Sequence, residues 1–428
     1  MSTTVDKAMD ADAVTSPLNQ GGALTAAAGL NNAPLPLEPY RSESYFERER
    51  TRIFERAWLL VGRIEELPEP GSYVLKSVPP SAVSALITHS QAGRIQAFHN
   101  SCSHRGSAIV EREAGQQSRF VCPYHRWTYG DDGRLLGVTD EADFVGLEKS
   151  RCGLKPIATT VWEGWIFINL AAQPEVDLAT FLGPMKDHLQ GIAYRATRQP
   201  LVFSAELDAN WKVVSDAFVE SYHVPSIHPD SLAGPFAASS NPFGRFLSAR
   251  LFGNHQAVSY FGNPEYQLPA HAKVQALIAR LAAGSPPNDS AQQELAAFFA
   301  HAAINPTRSN YWSMDTNAVF PNSHIDCGLF GMWTHQFWPL AAHRTRYEGR
   351  FYLGEARNMR ERLLLEMAAA QLAEVVVEDL ANVARTQRGI NSGGQTHMQL
   401  KDSEIGIRHA LSEVMRWVEA DTVKEALR

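Results

Sequence analysis

The chain between about residues 59 and 170 consists of short apolar or alternating segments separated by turn-forming residues. Ala82–Thr88 and Gly164–Asn169 are examples, and Asp132-Gly133 is a hairpin signal between two further segments. A two-residue period interrupted by Gly, Pro, Asn and Asp is typical of antiparallel strands. This part of the sequence therefore predicts a small antiparallel β domain.

Over residues 171–428 the pattern changes, and several segments have apolar residues at the spacing of a helix. Ala356–Gly389 has the Leu, Met, Ala and Glu content of a long helix, and Ile405–Ala426 has the pattern of an amphipathic helix. The other predicted elements are the helices Ala272–Ala283 and Gln292–Ala302 and the strands Ala318–Phe320, Leu329–Phe337 and Thr345–Leu353. Together with the preceding strands, they predict the α+β class.

The N-terminal region has two parts. No charged residue lies between Ala13 and Leu37, where Ala, Gly, Asn and Pro dominate, so we expect residues 1–38 to form a flexible arm. Residues 39–58 carry Phe46, Ile53 and Trp58 on one helical face and predict a helix.

Composition excludes several classes of protein. The 428 residues include 39 Lys and Arg against 46 Asp and Glu, which gives a formal net charge of −7 and no basic footprint for nucleic acid or an anionic membrane. No apolar run reaches the roughly 18 residues of a membrane span. Four cysteines are too few for a disulfide framework in a chain of this length. We expect a cytoplasmic protein without a secretory signal.

Two cysteines and two histidines are arranged as a pair of metal-binding loops. Cys102-Ser103-His104 precedes Cys122-Pro123-Tyr124-His125, and each group lies between predicted strands. Two thiolates and two imidazoles suit a tetrahedral zinc ion. They also suit a [2Fe-2S] cluster with both cysteines on one iron and both histidines on the other. The ligand set alone leaves both options open.

The sequence around these ligands resembles the two binding loops of Rieske iron–sulfur domains, in particular those of the oxygenase branch. The resemblance covers residues 100–106 and 122–129, and it implies that Cys102, His104, Cys122 and His125 hold a Rieske [2Fe-2S] cluster. Arg126 departs from the pattern, which usually has glycine after the second histidine. The Cys-x-x-Cys pairs of a zinc ribbon are absent from the sequence.

A second group of histidines lies in the α+β region. His223 is predicted at the end of a helix, and His228 follows a turn that contains Pro225, which makes a continuous helix unfavourable. A helix end followed by a turn brings two imidazoles onto one metal ion, and a third ligand is needed to complete the face.

The segment from Asn210-Trp211-Lys212 to His228-Pro229 resembles the catalytic domain of Rieske non-heme iron oxygenase α subunits. The resemblance implies that His223 and His228 hold Fe(II), with Asp379 as the third ligand on the long helix; Glu378 is the alternative. It also implies that Glu220 bridges an iron-ligating histidine to the Rieske histidine, His125, of the neighbouring subunit. Most relatives have aspartate at this position, and glutamate occurs in a subset that includes enzymes acting on quaternary amines.

The same resemblance implies the architecture and the activity. We expect a Rieske domain over residues 59–170 and a helix-grip catalytic domain over residues 171–428, with the helix at 39–58 packed on the latter. The enzyme is expected to use O₂ and electrons from a separate reductase, with or without a ferredoxin, to hydroxylate a small substrate. A homotrimer is expected, with or without β subunits. An aromatic substrate is the first reading, and N- or O-demethylation is the alternative.

Two other classes of protein remain as alternatives: a pure Rieske electron carrier and a zinc-stabilised binding module. The candidates for the wall of a substrate pocket are the aromatic residues Phe218, Tyr222, Phe320, Trp333, Phe337 and Trp338, each of which also suits an ordinary core.

Overall fold

The computed structural model of the protein describes residues 22–193, 200–283, 289–328, 331–352, 356 and 358–428. The chain divides into two compact units. The smaller unit is Glu49–Phe181 together with Asp421–Lys424, and the larger unit contains the other described residues. Both units contain antiparallel sheets, and most of the helices belong to the larger one, so the predicted α+β class is confirmed.

The smaller unit contains a seven-stranded antiparallel sheet and a separate three-stranded sheet. Its strands are β1 (Leu59–Arg63), β2 (Ser72–Val78), β3 (Val83–His89), β4 (Ile95–His99), β5 (Ala114–Gln116), β6 (Arg119–Val121), β7 (Thr128–Gly130), β8 (Leu135–Gly137), β9 (Pro156–Trp162) and β10 (Trp165–Asn169). The spatial order is β1-β10-β9-β4-β3-β2-β5 in the larger sheet and β6-β7-β8 in the smaller one. Buried side chains from the two sheets and their loops form one core, to which Cys102 and Cys122 both belong.

The larger unit is built on a second seven-stranded antiparallel sheet. Its strands are β11 (Leu201–Leu207), β12 (Ser248–Phe252), β13 (His255–Phe261), β14 (Trp312–Val319), β15 (Ser323–Gly328), β16 (Gly331–Ala341) and β17 (Arg344–Tyr352), in the order β11-β17-β16-β15-β14-β13-β12. Its four longest described helices are α2 (Lys273–Ala283), α3 (Asp289–Ala300), α4 (Met359–Asn391) and α5 (Ile405–Glu419), and a short helix, α1 (Trp211–Asp216), precedes the two histidines. The beginning of the predicted strand Leu329–Phe337 and the end of Thr345–Leu353 lie outside the described residues.

Two features of its sequence stabilise the long helix α4: a capping residue at its N-terminus and a row of apolar residues on one buried face. The side chain of Asn358 accepts a hydrogen bond from the Glu361 backbone N–H, at 3.0 Å, and so caps the first turn. Val376, Leu380 and Val383 are buried at helical spacing on the same face as Asp379. This face therefore carries the predicted acidic ligand into the interior of the larger unit.

The prediction of a flexible arm over residues 1–38 is wrong for the part that the structure describes, residues 22–38. Ala23–Ala27 is a short helix in which Leu24 is buried, and the Asp402 carboxylate accepts hydrogen bonds from the Leu24 and Thr25 backbone N–H groups. Leu35–Pro36 also pairs with His397–Met398 as a small antiparallel sheet. These contacts join distant parts of the chain, so their local sequence gives no sign of them.

The helix expected over residues 39–58 is divided into shorter segments. Glu38–Arg41 and Glu43–Glu49 are α-helical, and a π-helical turn follows at Arg50–Phe54. The border between the two compact units falls at Glu49, within the predicted helix. Tyr40, on the larger unit's side of the border, is buried and donates a 2.7 Å hydrogen bond from its hydroxyl to Asp216.

Candidate metal centres and adjoining cleft

The segment that carries the two catalytic-domain histidines is anchored at its start by Asn210. The Asn210 side chain accepts a 3.0 Å hydrogen bond from the Lys212 backbone N–H and caps α1. Its amide also donates to the Ala342 carbonyl, at 2.7 Å, and its backbone N–H donates to the Gln387 side chain on α4, at 2.8 Å. The segment is therefore fixed to both the sheet and the long helix before it reaches the histidines.

His223 lies in a different local structure from the one expected. Helix α1 ends at Asp216, and His223 precedes a second short helix, Val224–Ile227, instead of ending the first. Pro225 lies in the first turn of that short helix, where a missing N–H costs nothing. His228 ends the short helix, so the two imidazoles flank one helical turn.

The structure brings His223, His228 and Asp379 together. Asp379 Oδ1 lies 3.2 Å from His223 Nε2 and 2.8 Å from His228 Nε2. One ligand atom from each residue lies within 4.8 Å of the others, and His228 and Asp379 are buried. Two imidazole nitrogens and one carboxylate oxygen on one face of a site are the donor set that suits Fe(II) with open positions. Their role as iron ligands stays a prediction.

The charges of this group also fit a bound cation. Burial lowers the pKa of His223, but hydrogen bonds with Asp379 and Glu220 outweigh burial and raise the pKa to about 10. Burial raises the pKa of Asp379, but hydrogen bonds with both histidines bring it below its usual value. In the metal-free chain, the carboxylates therefore favour protonated, positively charged imidazole. A metal ion would supply that positive charge instead when it displaces the imidazole protons.

Carboxylates also hold the far side of each imidazole. Glu220 Oε1 contacts His223 Nδ1, and Glu378 Oε2 lies 2.6 Å from His228 Nδ1. Ser231 donates a hydrogen bond from its hydroxyl to the same Glu378 oxygen. Because each Nδ1–H has a carboxylate acceptor, each Nε2 is left to face Asp379. Glu378, the alternative third ligand, is therefore placed behind His228 and not among the converging atoms.

The Cys–His group of the smaller unit is formed by two turns. Cys102 N–H donates to the Ser107 carbonyl, and Cys122 N–H donates to the Trp127 carbonyl, at 2.9 and 2.8 Å. The rings of His104 and His125 lie 4.6 Å apart between their centroids. The structure therefore brings all four predicted ligands into one region of the smaller unit.

Two features of this group fit a metal cluster. His104 Nδ1 is buried and has no hydrogen-bond partner among the described residues, as expected for a ring nitrogen that is placed to ligate metal. Burial raises the pKa of Cys122, but hydrogen bonds from the backbone of Tyr124 and His125 lower it below its usual value overall. Backbone donors aimed at a sulfur stabilise the thiolate that binds metal.

The structure adds a contact of Tyr129, which the sequence did not reveal, and the backbone conformation of Arg126 to the description of the Cys–His group. The Tyr129 hydroxyl lies 3.2 Å from Cys102 Sγ and accepts a 3.0 Å hydrogen bond from the Ser103 backbone N–H. Arg126 has a φ of 63°, in the left-handed region that favours glycine. Arginine therefore occupies a backbone conformation here that is strained for a residue with a Cβ and that glycine would adopt more easily.

A cleft of about 930 Å³, including its open mouth, adjoins the histidines and Asp379. It lies between α4 and one face of the second seven-stranded sheet, and apolar and aromatic side chains form most of its wall. Of the six aromatic residues that the sequence suggested for the pocket wall, Phe218 and Trp333 line this cleft. Phe337 and Trp338 are buried outside it, Phe320 lines a separate cavity, and Tyr222 is about half exposed.

Comparisons with protein families match both units. Residues 57–149 match the Rieske [2Fe-2S] domain, and residues 196–420 match the ring hydroxylating alpha subunit (catalytic domain). The second match covers more than half of the chain. The two families follow each other in the order that the sequence resemblance implied.

Three similar proteins illustrate the range of the relatives. The chain is 36% identical over 200 residues to the glycine betaine monooxygenase oxygenase subunit of Chromohalobacter salexigens, an alignment that covers 46% of this chain and 44% of the relative. It is 35% identical over 219 residues to the large oxygenase component of the naphthalene 1,2-dioxygenase system of Pseudomonas putida, with 49% and 47% covered. These alignments span less than half the length of either relative.

The third is a solved quaternary ammonium Rieske monooxygenase, which superposes with a TM-score of 0.70 over 90% of this chain and 95% of the other at 20% identity. At 20% identity, this comparison shows a similarity of fold only. No helix in the described parts of the chain is long and apolar enough to cross a membrane.

Proposed function

Because the chain belongs to the ring-hydroxylating oxygenase α subunits and carries a Rieske [2Fe-2S] domain, we propose that it is the terminal oxygenase of a multicomponent system. It takes electrons from a separate reductase, with or without a ferredoxin, and uses O₂ to hydroxylate a small organic substrate. The observation that carries this proposal is the convergence of His223, His228 and Asp379 at the wall of a largely apolar cleft.

The residues of the larger unit that would hold Fe(II) are His223, His228 and Asp379. When bound there, the metal supplies the O₂ chemistry of the family. Glu220 and Glu378 keep the two imidazoles in orientation through their Nδ1 atoms. The apolar wall limits the access of water to this face and leaves apolar contact as the main means of holding the substrate.

The residues that would hold the [2Fe-2S] cluster are Cys102, His104, Cys122 and His125. The cluster supplies electrons one at a time, and its two neutral histidines give it a higher reduction potential than an all-cysteine cluster. Following the family pattern, Glu220 links an iron-ligating histidine to His125 of the next subunit. A ring-shaped homotrimer, with or without β subunits, is part of this proposal, as is a cytoplasmic location.

Two substrate classes remain within the proposed activity. The aromatic side chains of the cleft support ring hydroxylation, and a relative named for naphthalene 1,2-dioxygenase belongs to that class. Glu220 and a relative named for glycine betaine monooxygenase support N-demethylation. In that reaction, R₃N⁺–CH₃ with O₂, two electrons and two protons gives R₃N⁺–CH₂OH and water, and the alcohol then releases formaldehyde, R₃N and a proton.

The test combines turnover with a metal assay. The purified protein is supplied with a surrogate reductase, NAD(P)H and a panel of aromatic and N-methylated compounds, and products are followed by mass spectrometry. We expect an O₂-dependent product and about three irons for every two acid-labile sulfides per chain. Equal amounts of iron and sulfide without turnover would support an electron carrier, and zinc without sulfide would support a binding module.

A further inference from the structure

The two reactions proposed for the cleft both consume protons. Ring hydroxylation and N-demethylation each use one O₂, two electrons and two protons per turnover, and the electrons come from the reductase. The cleft is a poor route for the protons, because its wall is mostly apolar and a bound substrate displaces water from it. Protons therefore need a path to the metal site that stays open while the cleft is occupied.

A second pocket of the larger unit adjoins the same group of predicted metal ligands. The residues that line both this pocket and the cleft are Ala217, Glu220, His223 and Asp379. From Asp379 the cleft follows α4 toward its N-terminus, and the second pocket follows α4 toward its C-terminus, past Asn382 and Thr386. The second pocket measures about 520 Å³ with its open mouth, which is enough for several water molecules, and Thr386 is exposed. The two pockets therefore reach the metal ligands from different directions.

Asp216 lines the second pocket and not the cleft. It is the last residue of α1, lies four residues before Glu220 and is only partly buried. The Tyr40 hydroxyl donates a 2.7 Å hydrogen bond to its Oδ2. A carboxyl group that is held by one donor beside a pocket with room for water is placed to exchange protons with that water.

The surroundings of Asp216 bring its titration close to neutral pH. Burial is the largest effect and raises the pKa of Asp216, and the nearby carboxylates of Glu220 and Glu404 add to the rise. The Tyr40 hydroxyl and the Lys212 ammonium group oppose it, and together these effects raise the pKa to about 7. A group with a pKa near the operating pH both gives up and recovers a proton readily.

We propose that the second pocket is the proton entrance to the metal site and that Asp216 is its relay residue. The Asp216 carboxyl group gives a proton to water in the pocket beside the metal ligands, and the carboxylate that remains takes up another from solvent at the mouth. Two such cycles per turnover balance the two electrons from the reductase. The inference rests on the proposed function but holds for either substrate class. Asp216 acts through water and touches neither substrate nor metal.

The pH dependence of turnover is the first test. Above its pKa, Asp216 is ionised and has no proton to give, so kcat of the parent should fall as the pH rises through about 7. Asp216→Asn has no such proton at any pH. It should lower kcat about tenfold or more at about pH 6, remove the fall and leave KM unchanged, because Asp216 lies outside the cleft. An unchanged pH profile in Asp216→Asn, or a change in KM alone, would overturn the proposal.

Two further variants separate the relay from a structural effect. Tyr40→Phe removes the donor that stabilises the Asp216 carboxylate, so the fall in kcat should move to higher pH by about one unit. Asp315→Asn is the matched control, because burial also raises the pKa of Asp315 to about 7 and Asp315 lines neither pocket. This control should keep the profile of the parent. No shift or a downward shift in Tyr40→Phe, or loss of the fall in Asp315→Asn, contradicts the proposal.

Infrared spectroscopy detects the proton on Asp216 without turnover. Spectra of the purified holoenzyme minus those of Asp216→Asn should contain the band of a protonated carboxyl group at about pH 6 that is lost at about pH 8. The band should shift promptly in D₂O, because the pocket is open to solvent. A band that is insensitive to pH, or one that exchanges only over hours, would overturn the proposal. Since this measurement needs no oxygenase activity, failure of the relay is distinguishable from failure of the proposed function, which the NAD(P)H-dependent product assay reports.

Discussion

Glu378 and Asp379 show what a sequence leaves undecided at the scale of one residue. Neighbouring residues on a helix point about 100° apart, and two adjacent acids on a long helix are equally able to be ligands until the helix is oriented. Packing orients it: Asp379 is on the face that α4 buries, and Glu378 is only partly buried and contacts His228 Nδ1. The pair could be predicted, but the separate role of Glu378 could not.

We predict that Glu378→Ala weakens metal binding without removing a ligand. The substitution leaves the His228 Nδ1–H without its acceptor, so the ring is free to turn and Nε2 is held less firmly. The loss of such a partner commonly costs about 10- to 100-fold in metal affinity. Competition for Co(II) between the iron-depleted catalytic site and a chelator measures it.

Glu374→Ala is the control, because Glu374 is exposed on the same helix about one turn earlier. It should leave the Co(II) affinity unchanged. If Glu378→Ala also leaves it unchanged, the orientation of His228 depends on the short helix alone.

We also predict that Tyr129→Phe lowers the reduction potential of the cluster. The Tyr129 hydroxyl lies 3.2 Å from Cys102 Sγ, and once the sulfur is a thiolate the hydroxyl must be the donor. A hydrogen bond to a ligand sulfur favours the reduced, more negative cluster. Loss of a bond worth about 1 kcal/mol corresponds to about 40 mV.

Potentiometric titration followed by absorbance gives the potential. Tyr124→Phe is the matched variant, since Tyr124 lies in the same loop region but is more than half exposed. A shift of the same size in both variants, or no shift in Tyr129→Phe, would show that the hydroxyl does not act on the sulfur.

At the scale of elements, those with strong local signals were predictable. Helices α2 and α4 follow their predicted ranges within a few residues at most ends, because their apolar residues recur at helical spacing over many turns. Strands β11, β12 and β13 were not identified. β11 is largely exposed while β13 is buried throughout, so neither has the in–out alternation of a half-buried strand in a clear form. Their place follows from pairing with distant strands.

Gly406 gives an element-scale prediction for the position of the metal-binding segment. It is buried at the start of α5, and a Cβ at this position would lie 2.5 Å from the Val219 carbonyl oxygen. Backbone cannot yield as a flexible side chain does, so Gly406→Ala must separate α5 from the segment that leads to His223. We expect a loss of about 1–3 kcal/mol in stability and a weaker catalytic metal site.

Gly389→Ala is the matched control within α4. A Cβ there meets no atom within 4 Å, and alanine favours a helix over glycine by up to about 1 kcal/mol. Thermal unfolding and Co(II) titration of both variants separate the steric effect from helix propensity. Equal stability of Gly406→Ala and the parent would mean that the contact relaxes without cost.

At the scale of the whole molecule, the order of the two domains was predictable because each carries proposed ligands in a short stretch of sequence, residues 102–125 in one and residues 223–228 in the other. Only Asp379, the third proposed iron ligand, lies far downstream. The exact border was not, since Glu49 lies inside a run of helical sequence and nothing local marks a change of unit. The association of Leu24 with Asp402 was also out of reach, because it depends on residues almost four hundred positions apart. Contacts between distant segments, and not local propensity, decide such features.

The two compact units predict two metal sites that can be lost separately. His223→Ala removes a proposed iron ligand in the larger unit, and Cys122→Ser removes a proposed cluster ligand in the smaller unit, so each leaves the proposed ligands of the other site unchanged in sequence. We expect His223→Ala to lose about one iron per chain and to abolish turnover, while the sulfide content and the visible spectrum of the cluster stay unchanged.

Cys122→Ser should lose about two irons and both sulfides per chain and keep the Co(II) affinity of the catalytic site. Each variant retains what the other loses, so iron and sulfide analysis tests whether the sites are independent, and joint loss of cluster and catalytic iron in His223→Ala would contradict it. A turnover assay of Cys122→Ser tests the path of the electrons, since turnover without the cluster would remove the cluster from that path.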